Sequence, residues 1–299
     1  MGFRGFWNYR NLFLFVFANL LAVIFFNFHP AVAQSQNRVS LPFITAPGGT
    51  ILVKIKVMGE PITCIVDTGT PYFMVLDETL AQNLHLQQIP MSSRLKFFIE
   101  RQGEKTTRVI IPKIQIASFK YHDMSAVTAG DIRMLTGGAS ALTFPDFRAQ
   151  GILGMGFFQA FHMILNYPEQ KIVFYPSDVS SSFVDFSRPT VEVAANGNQF
   201  PFLLDTGSSH SVVSEKVVNA LGMKRVVSQI PNPPFNGVAK ANRLKIGSIH
   251  VRHVTMALSK NFSRYSGTYR LKGIIGYDLM RNLILDLNFS EGTIRLKKE

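Results

Sequence analysis

The feature that most constrains this chain is an internal repeat: two segments match block by block, in the same order, so the fold must contain two copies of one structural unit. In the first copy an alternating run, Thr50–Val57, turns at Met58-Gly59-Glu60-Pro61, and the apolar run Ile62–Val66 leads straight into Asp67. In the second, Thr190–Val193 turns at Asn196-Gly197, and Phe200–Leu204 leads into Asp205. Asn-Gly between apolar runs is a strong hairpin signal. Further matched blocks follow: Lys113–Phe119 with Arg243–Ile249, Gly151-Ile152-Leu153-Gly154 with Gly273-Ile274-Ile275-Gly276, Met163–Asn166 with Leu283–Asp286, and Lys171–Phe174 with Thr293–Leu296.

The repeat fixes the organisation. Copy one spans about 40–176 and copy two 187–299, with a serine-rich linker at 177–186. Copy one has the longer connections, and Asp131–Arg148 with its Gly137-Gly138 reads as a surface excursion. Helical pattern is confined to Asp77–Leu84 and Ser214–Leu221, with short helices expected after each Gly-x-x-Gly block. The class is therefore mostly β with a few short helices.

The N-terminus follows a separate pattern. Arg4 and Arg10 precede an apolar run, Leu12–Phe28, and Ala31-Val32-Ala33 offers a small-x-small cleavage site. This order predicts a signal peptide over residues 1–33 and an exported, periplasmic or secreted, mature chain. Anchoring by residues 12–28, a run that approaches the length of a span, is the weaker reading, because the flank is typical of a cleavage site. Loss of residues 1–33 removes two arginines and no acid from a formal charge of +12. The remaining basic residues are scattered in sequence, which predicts a solvated basic surface and no nucleic-acid partner. At 46% apolar and 17% charged residues the chain has the composition of a packed protein, not a disordered one. The single cysteine, Cys64, rules out an internal disulfide and reads as a small core residue.

The aspartates carry the chemistry. A carboxylate at the end of a buried apolar strand is costly unless compensated. Gly69 and Gly207 permit a tight turn that aims backbone N–H groups at it. Thr68 and Thr206 offer hydroxyls able to bond across an interface between copies, while Thr70 and Ser208 place a hydroxyl within reach of each outer carboxylate oxygen. One carboxylate cannot be acid and base at once. Two brought together cannot easily both ionise, so they share a proton; the charged member can activate a water while the protonated one bonds a carbonyl.

Asp67-Thr68-Gly69-Thr70 and Asp205-Thr206-Gly207-Ser208-Ser209, each with its downstream Gly-x-x-Gly block, resemble the retropepsin-like aspartic proteases over nearly all of 45–299. With both halves in one chain, the resemblance is to a fused, pepsin-like form. It implies a bilobal pseudo-twofold acid-protease fold of two β-barrel halves. It also implies Asp67 and Asp205 as the catalytic pair, and a peptide or protein substrate bound extended under flap hairpins. Candidate flaps are Arg94–Ile110, with Gly103 near its tip, and Val226–Lys240, with Gly237 near its tip. Neither holds a tyrosine. No cofactor or metal is implied, and a monomer suffices. The chain departs from the pattern at Pro71 and at Gly156, which stands where copy two has Asp278.

Other classes fare worse. His250 and His253 should point to opposite faces of a strand, which argues against a metal pair. His210 reads as a surface histidine. A glycosidase could use paired carboxylates, but the symmetry favours a peptidase. The competing function is a non-catalytic peptide-binding protein on the same fold.

Overall fold

The computed structural model describes residues 38–90, 107–130, 132, 148–176, 188–226, 237–260, 262, 270–289 and 291–298. The expected signal peptide (1–33), the linker (177–186), the tip of the first flap with Gly103, and most of the 131–148 excursion lie outside them.

Each copy closes into a six-stranded barrel. The first uses β3 (Ile51–Val57), β4 (Glu60–Val66), β5 (Met74–Asp77), β7 (Arg108–Ile116), β8 (Phe119–Ala129) and β9 (Gly151–Leu153). Its ring runs β3-β4-β9-β5-β8-β7 and shuts where Lys56 and Val57 of β3 meet Gln115 and Ile114 of β7. β2 (Ile44–Thr45) and β6 (Gln87–Ile89) extend it at either side. The second repeats the plan with β12 (Thr190–Ala195), β13 (Asn198–Leu204), β14 (Val212–Ser214), β16 (Val238–Ile246), β17 (Ile249–Ser259) and β18 (Gly273–Ile275). Here the ring runs β12-β13-β18-β14-β17-β16 and shuts where Val193 and Ala194 meet Ile246 and Lys245, with β15 (Lys224–Val226) added beside β16.

The turns behave as their residues dictate. Asn196 and Gly197 both have positive φ (51° and 75°), as the tight hairpin turn they form requires. Met58-Gly59 makes the matching turn in the first barrel, at 54° and 94°.

A third sheet ties the copies together. Its order is β1-β11-β10-β19-β20, from β1 (Val39–Pro42), β10 (Phe161–Asn166), β11 (Lys171–Pro176), β19 (Leu283–Asn288) and β20 (Thr293–Lys298). The lobes meet at its centre, where β10 pairs antiparallel with β19 from His162↔Asn288 to Asn166↔Ile284. Barrels and sheet form one compact unit. Between the first barrel and this sheet lies an aromatic core: Phe157 packs edge-on against Phe73 (5.9 Å between ring centres) and Phe174 (5.5 Å), and Phe158, Phe161 and Phe174 are almost fully buried. Cys64 is wholly buried, and burial pushes its thiol pKa up, as expected of a core residue.

Two expectations need correction. The Asp77–Leu84 pattern does give a helix, Glu78–Asn83, capped by the Asp77 carboxylate on the Leu80 N–H (3.2 Å). Ser214–Leu221, however, gives a strand end followed by consecutive turns. Adjacent Val217 and Val218 are poor helix formers and bury into the core instead. The second correction concerns His250 and His253. His253 has φ 54°, which interrupts the strand alternation, and both histidines are exposed. Short helices do follow both Gly-x-x-Gly blocks, at Met155–Phe158 and Tyr277–Met280.

Candidate active site

In each lobe the aspartate is set at the end of a barrel strand by a second strand threaded beside it. β9 runs parallel to β4 and antiparallel to β5, and the Leu153 carbonyl accepts the Asp67 N–H at 3.0 Å. β18 does the same between β13 and β14, and the Ile275 carbonyl accepts the Asp205 N–H at 3.0 Å. The Gly-x-x-Gly glycines are required by closeness: a Cβ on Gly154 would sit 2.7 Å from the Thr70 carbonyl oxygen, and one on Gly276 would sit 2.7 Å from that of His210.

The loops then lock across the lobes. Thr68 donates its hydroxyl to the Leu204 carbonyl (2.6 Å) and accepts the Thr206 N–H (3.1 Å). Thr206 returns both bonds, to the Val66 carbonyl (2.7 Å) and from the Thr68 N–H (3.1 Å). Both threonines are wholly buried, so these four bonds satisfy polar groups that would otherwise be costly. The lock presses each glycine against the opposite aspartate. A Cβ on Gly69 would lie 2.7 Å from Asp205 Cγ, and one on Gly207 would lie 2.6 Å from Asp67 Cγ. Asp67 and Asp205 therefore face each other at the lobe boundary.

The two carboxylates are not equivalent. Asp67 accepts three hydrogen bonds: the Gly69 N–H (2.7 Å), the Thr70 N–H (3.1 Å) and the Thr70 hydroxyl (2.7 Å). Asp205 accepts the Gly207 N–H (2.9 Å). The expected Ser208 bond is absent, because its hydroxyl donates to the His210 carbonyl at 2.9 Å. The corresponding carbonyl in the first lobe, on Tyr72, is served by the Gly156 N–H (3.1 Å). Asp205 keeps partial exposure where Asp67 is buried. Its carboxyl is held well above the ordinary carboxylate range, first by burial, then by the Asp67 charge and a hydrogen bond with Asp67; the Gly207 N–H and Arg188 pull weakly the other way.

Sequence reasoning noticed Gly156 and Asp278 but missed their partners. Both Asp278 oxygens accept the Ser211 N–H (2.9 and 3.0 Å), and Oδ1 also accepts the Ser211 hydroxyl (2.6 Å). That hydroxyl in turn accepts the Gly276 N–H (3.0 Å). In the first lobe Phe73 stands at the Ser211 position, and a Cβ on Gly156 would lie 2.5 Å from its N atom. Comparing the copies six residues beyond each aspartate, Phe73 against Ser211, would have exposed this compensated swap. Arg188 was also missed. Continuing the β12–β13 ladder past Thr190↔Leu203 sets it opposite Asp205.

Paired strands flank the segments that hold both candidate flap tips. Gln87–Ile89 of β6 pairs with Arg108–Ile110, and Lys224–Val226 pairs with Val238–Lys240. Gly237 (φ 123°) lies at the foot of the second hairpin and not at its tip; its carbonyl accepts the Leu258 N–H at 2.9 Å, because the ladder already resumes at Val226↔Val238. His210 is exposed. Among the described residues no three His, Cys, Asp or Glu side chains cluster as metal ligands, and no helix is long and apolar enough to cross a membrane.

Two closed barrels presenting interlocked Asp-Thr-Gly loops to each other define a bilobal acid-protease fold. Residues 53–157 match the family model described as "Aspartyl protease", and residues 191–282 match the one described as "gag-polyprotein putative aspartyl protease". Each lobe thus matches an aspartyl protease model over a stretch that holds one of the two Asp-Thr-Gly motifs, as a tandem duplication requires. A search of curated proteins returned no match. Among solved structures, the chain is similar to a retropepsin-like aspartic protease from Rickettsia conorii, at 13% identity and a TM-score of 0.30, covering 46% of this chain and 89% of that one.

Proposed function

We propose that this chain is an aspartic endopeptidase in which Asp67 and Asp205 activate one water between them. The observation that carries this reading is the mutual approach of the loops, each glycine against the opposite carboxylate. Asp67, served by three donors, is the member suited to carry the charge and take the proton of the water. Asp205, whose carboxyl is pushed up by burial and by its neighbour, holds the shared proton and donates it to the scissile carbonyl. The gem-diol intermediate collapses when the proton gained by Asp67 passes to the leaving amine and one of the diol hydroxyls returns a proton to Asp205, which restores the pair. The pair titrates as one unit.

The substrate is an extended peptide lying between the lobes, covered by the two candidate flaps. Both carboxylates come from one chain, so the active form is a monomer. It works after export and removal of residues 1–33.

The test is cleavage of a peptide library by the mature protein from acidic to neutral pH, with and without a statine-type inhibitor. Asp67→Asn and Asp205→Asn should each abolish cleavage. Failure to cut any peptide across that range, with peptide still bound, would favour the non-catalytic binding reading. Undiminished cleavage by Asp205→Asn would sink the dyad.

A further inference from the structure

The duplication supplies an internal comparison that leads to a second site. On the outer hairpin of the second lobe, Arg243 pairs directly with Arg252, and Lys245 with His250; all four are exposed. Like charges directly opposite each other on adjacent strands repel. The matching pairs of the first lobe are Lys113 with His122 and Gln115 with Lys120. At the bend of the two hairpins the backbone is the same, φ 52° at Asp123 and 54° at His253, but an acid stands in one and a histidine in the other. After the Gly-x-x-Gly helices, Gln159 of the first lobe is matched by Arg281, and at the end of the last strand Pro176 is matched by Lys298. The second copy therefore carries Lys245, Arg252, His253, Arg281 and Lys298 where the first has Gln115, His122, Asp123, Gln159 and Pro176.

The fold brings Arg252, His253, Arg281 and Lys298 to one cleft of about 650 Å³, which Asp278 and Pro168 also line. Asp278 is the only acid among the lining residues, and both its oxygens are engaged by Ser211. Lys298 donates to the His250 carbonyl (3.1 Å), two residues along β17 from Arg252. Neither Arg252 nor Arg281 has an ion-pair partner among the described residues. A concave surface with an excess of one sign of charge focuses its field, and guanidinium groups match the geometry of phosphoryl oxygens.

We infer that this cleft on the second lobe binds a phosphate or polyphosphate group through Arg252, Arg281 and Lys298, with Arg243 and Lys245 broadening the approach. The group is either a free polyphosphate or a phosphate-bearing lipid headgroup. The inference does not depend on the peptidase reading, since none of these residues touches the dyad.

The experiment measures binding of inorganic tripolyphosphate to the mature protein by calorimetry at physiological salt, and co-sedimentation with vesicles of phosphatidylglycerol or phosphatidylcholine. Arg252→Ala and Arg281→Ala should each weaken binding by about tenfold or more, the scale of one charge-assisted hydrogen bond. Lys113→Ala/Lys120→Ala, which removes two exposed charges from the matching hairpin of the first lobe, should leave it unchanged. All these side chains are exposed, and a retained thermal transition checks the fold of each variant. Binding of tripolyphosphate identifies free polyphosphate as the source. Binding of phosphatidylglycerol vesicles alone, lost in the same arginine variants, identifies the headgroup. No binding of either probe, equal loss in the first-lobe control, or binding of duplex DNA alone would overturn the inference.

Discussion

Asp205 sets the pH behaviour of the site. Burial and the charge of Asp67 raise its carboxyl above the ordinary range, so in the folded protein it keeps its proton where a free carboxyl would lose one. The stability linked to that proton is fully present below the ordinary carboxylate pKa and is lost as pH rises through the raised value. Asp205→Asn removes the ionisation, and should raise the melting temperature at neutral pH while leaving it unchanged in acid. The rate of cleavage should fall along the same alkaline limb. The hydroxyls are a second residue-scale contrast. Thr70→Val deletes a 2.7 Å bond to the Asp67 carboxylate, worth about 1.5–3 kcal/mol, so kcat should drop roughly tenfold or more. Ser208→Ala should change it far less, because that hydroxyl serves the His210 carbonyl. These contrasts were not legible beforehand. Thr70 and Ser208 occupy like positions after their aspartates, and only the backbone around each decides what the hydroxyl meets.

Among elements, the threaded strands β9 and β18 are alike in plan and different in what braces them. Ser211 and Asp278 brace the second; in the first the backbone of Phe73 lies against Gly156, and the Phe73 ring packs on Tyr121 and Phe157. Ser211→Phe and Asp278→Gly should each destabilise the protein, by about 1–3 kcal/mol, through a clash or an unpaired buried donor. Together they copy the first lobe, and a double-mutant cycle read from urea midpoints should return about 1 kcal/mol or more of favourable coupling. Simple additivity would show that the two solutions are not interchangeable. The strands and turns of this region were readable in advance, since Asn196-Gly197 and the two Gly-x-x-Gly blocks admit few conformations. The Ser214–Leu221 segment was not, because its spacing of apolar residues suits a helix while Val217 and Val218 resist one. His253 escaped for a related reason: one positive φ undoes a strict two-residue alternation, and nothing in the residue type announces it.

For the whole molecule, the seam between lobes rests on the interlocked threonines and on the β10–β19 pairing. Thr206→Val keeps the shape but strips the Thr68 N–H and the Val66 carbonyl of their partner. It should cost about 2–4 kcal/mol, measurable by denaturant unfolding. On the sheet, Asp286 of the second lobe accepts His162 of the first (2.8 Å) and Lys297 (3.0 Å). Burial pushes its carboxyl up, but the bonds and charges of His162 and Lys297 outweigh that and hold it below the ordinary range. Its contribution is present above the ordinary carboxylate pKa and is lost as pH falls through the lowered value. Asp286→Asn should therefore lower stability at neutral pH and make little difference at the most acidic end. The repeat foretold two halves and a shared site. It could not foretell the joining sheet's order, which depends on pairings between strands far apart in the chain.

The unequal hydroxyls of Thr70 and Ser208 also bear on how such a site can evolve. In a symmetric dimer every mutation is installed twice, so acid and base change in step. Here each lobe is encoded separately, and a single substitution alters one carboxylate and spares its counterpart. Drift in one copy can therefore assign the two protons' roles permanently, which a self-pairing gene product cannot do.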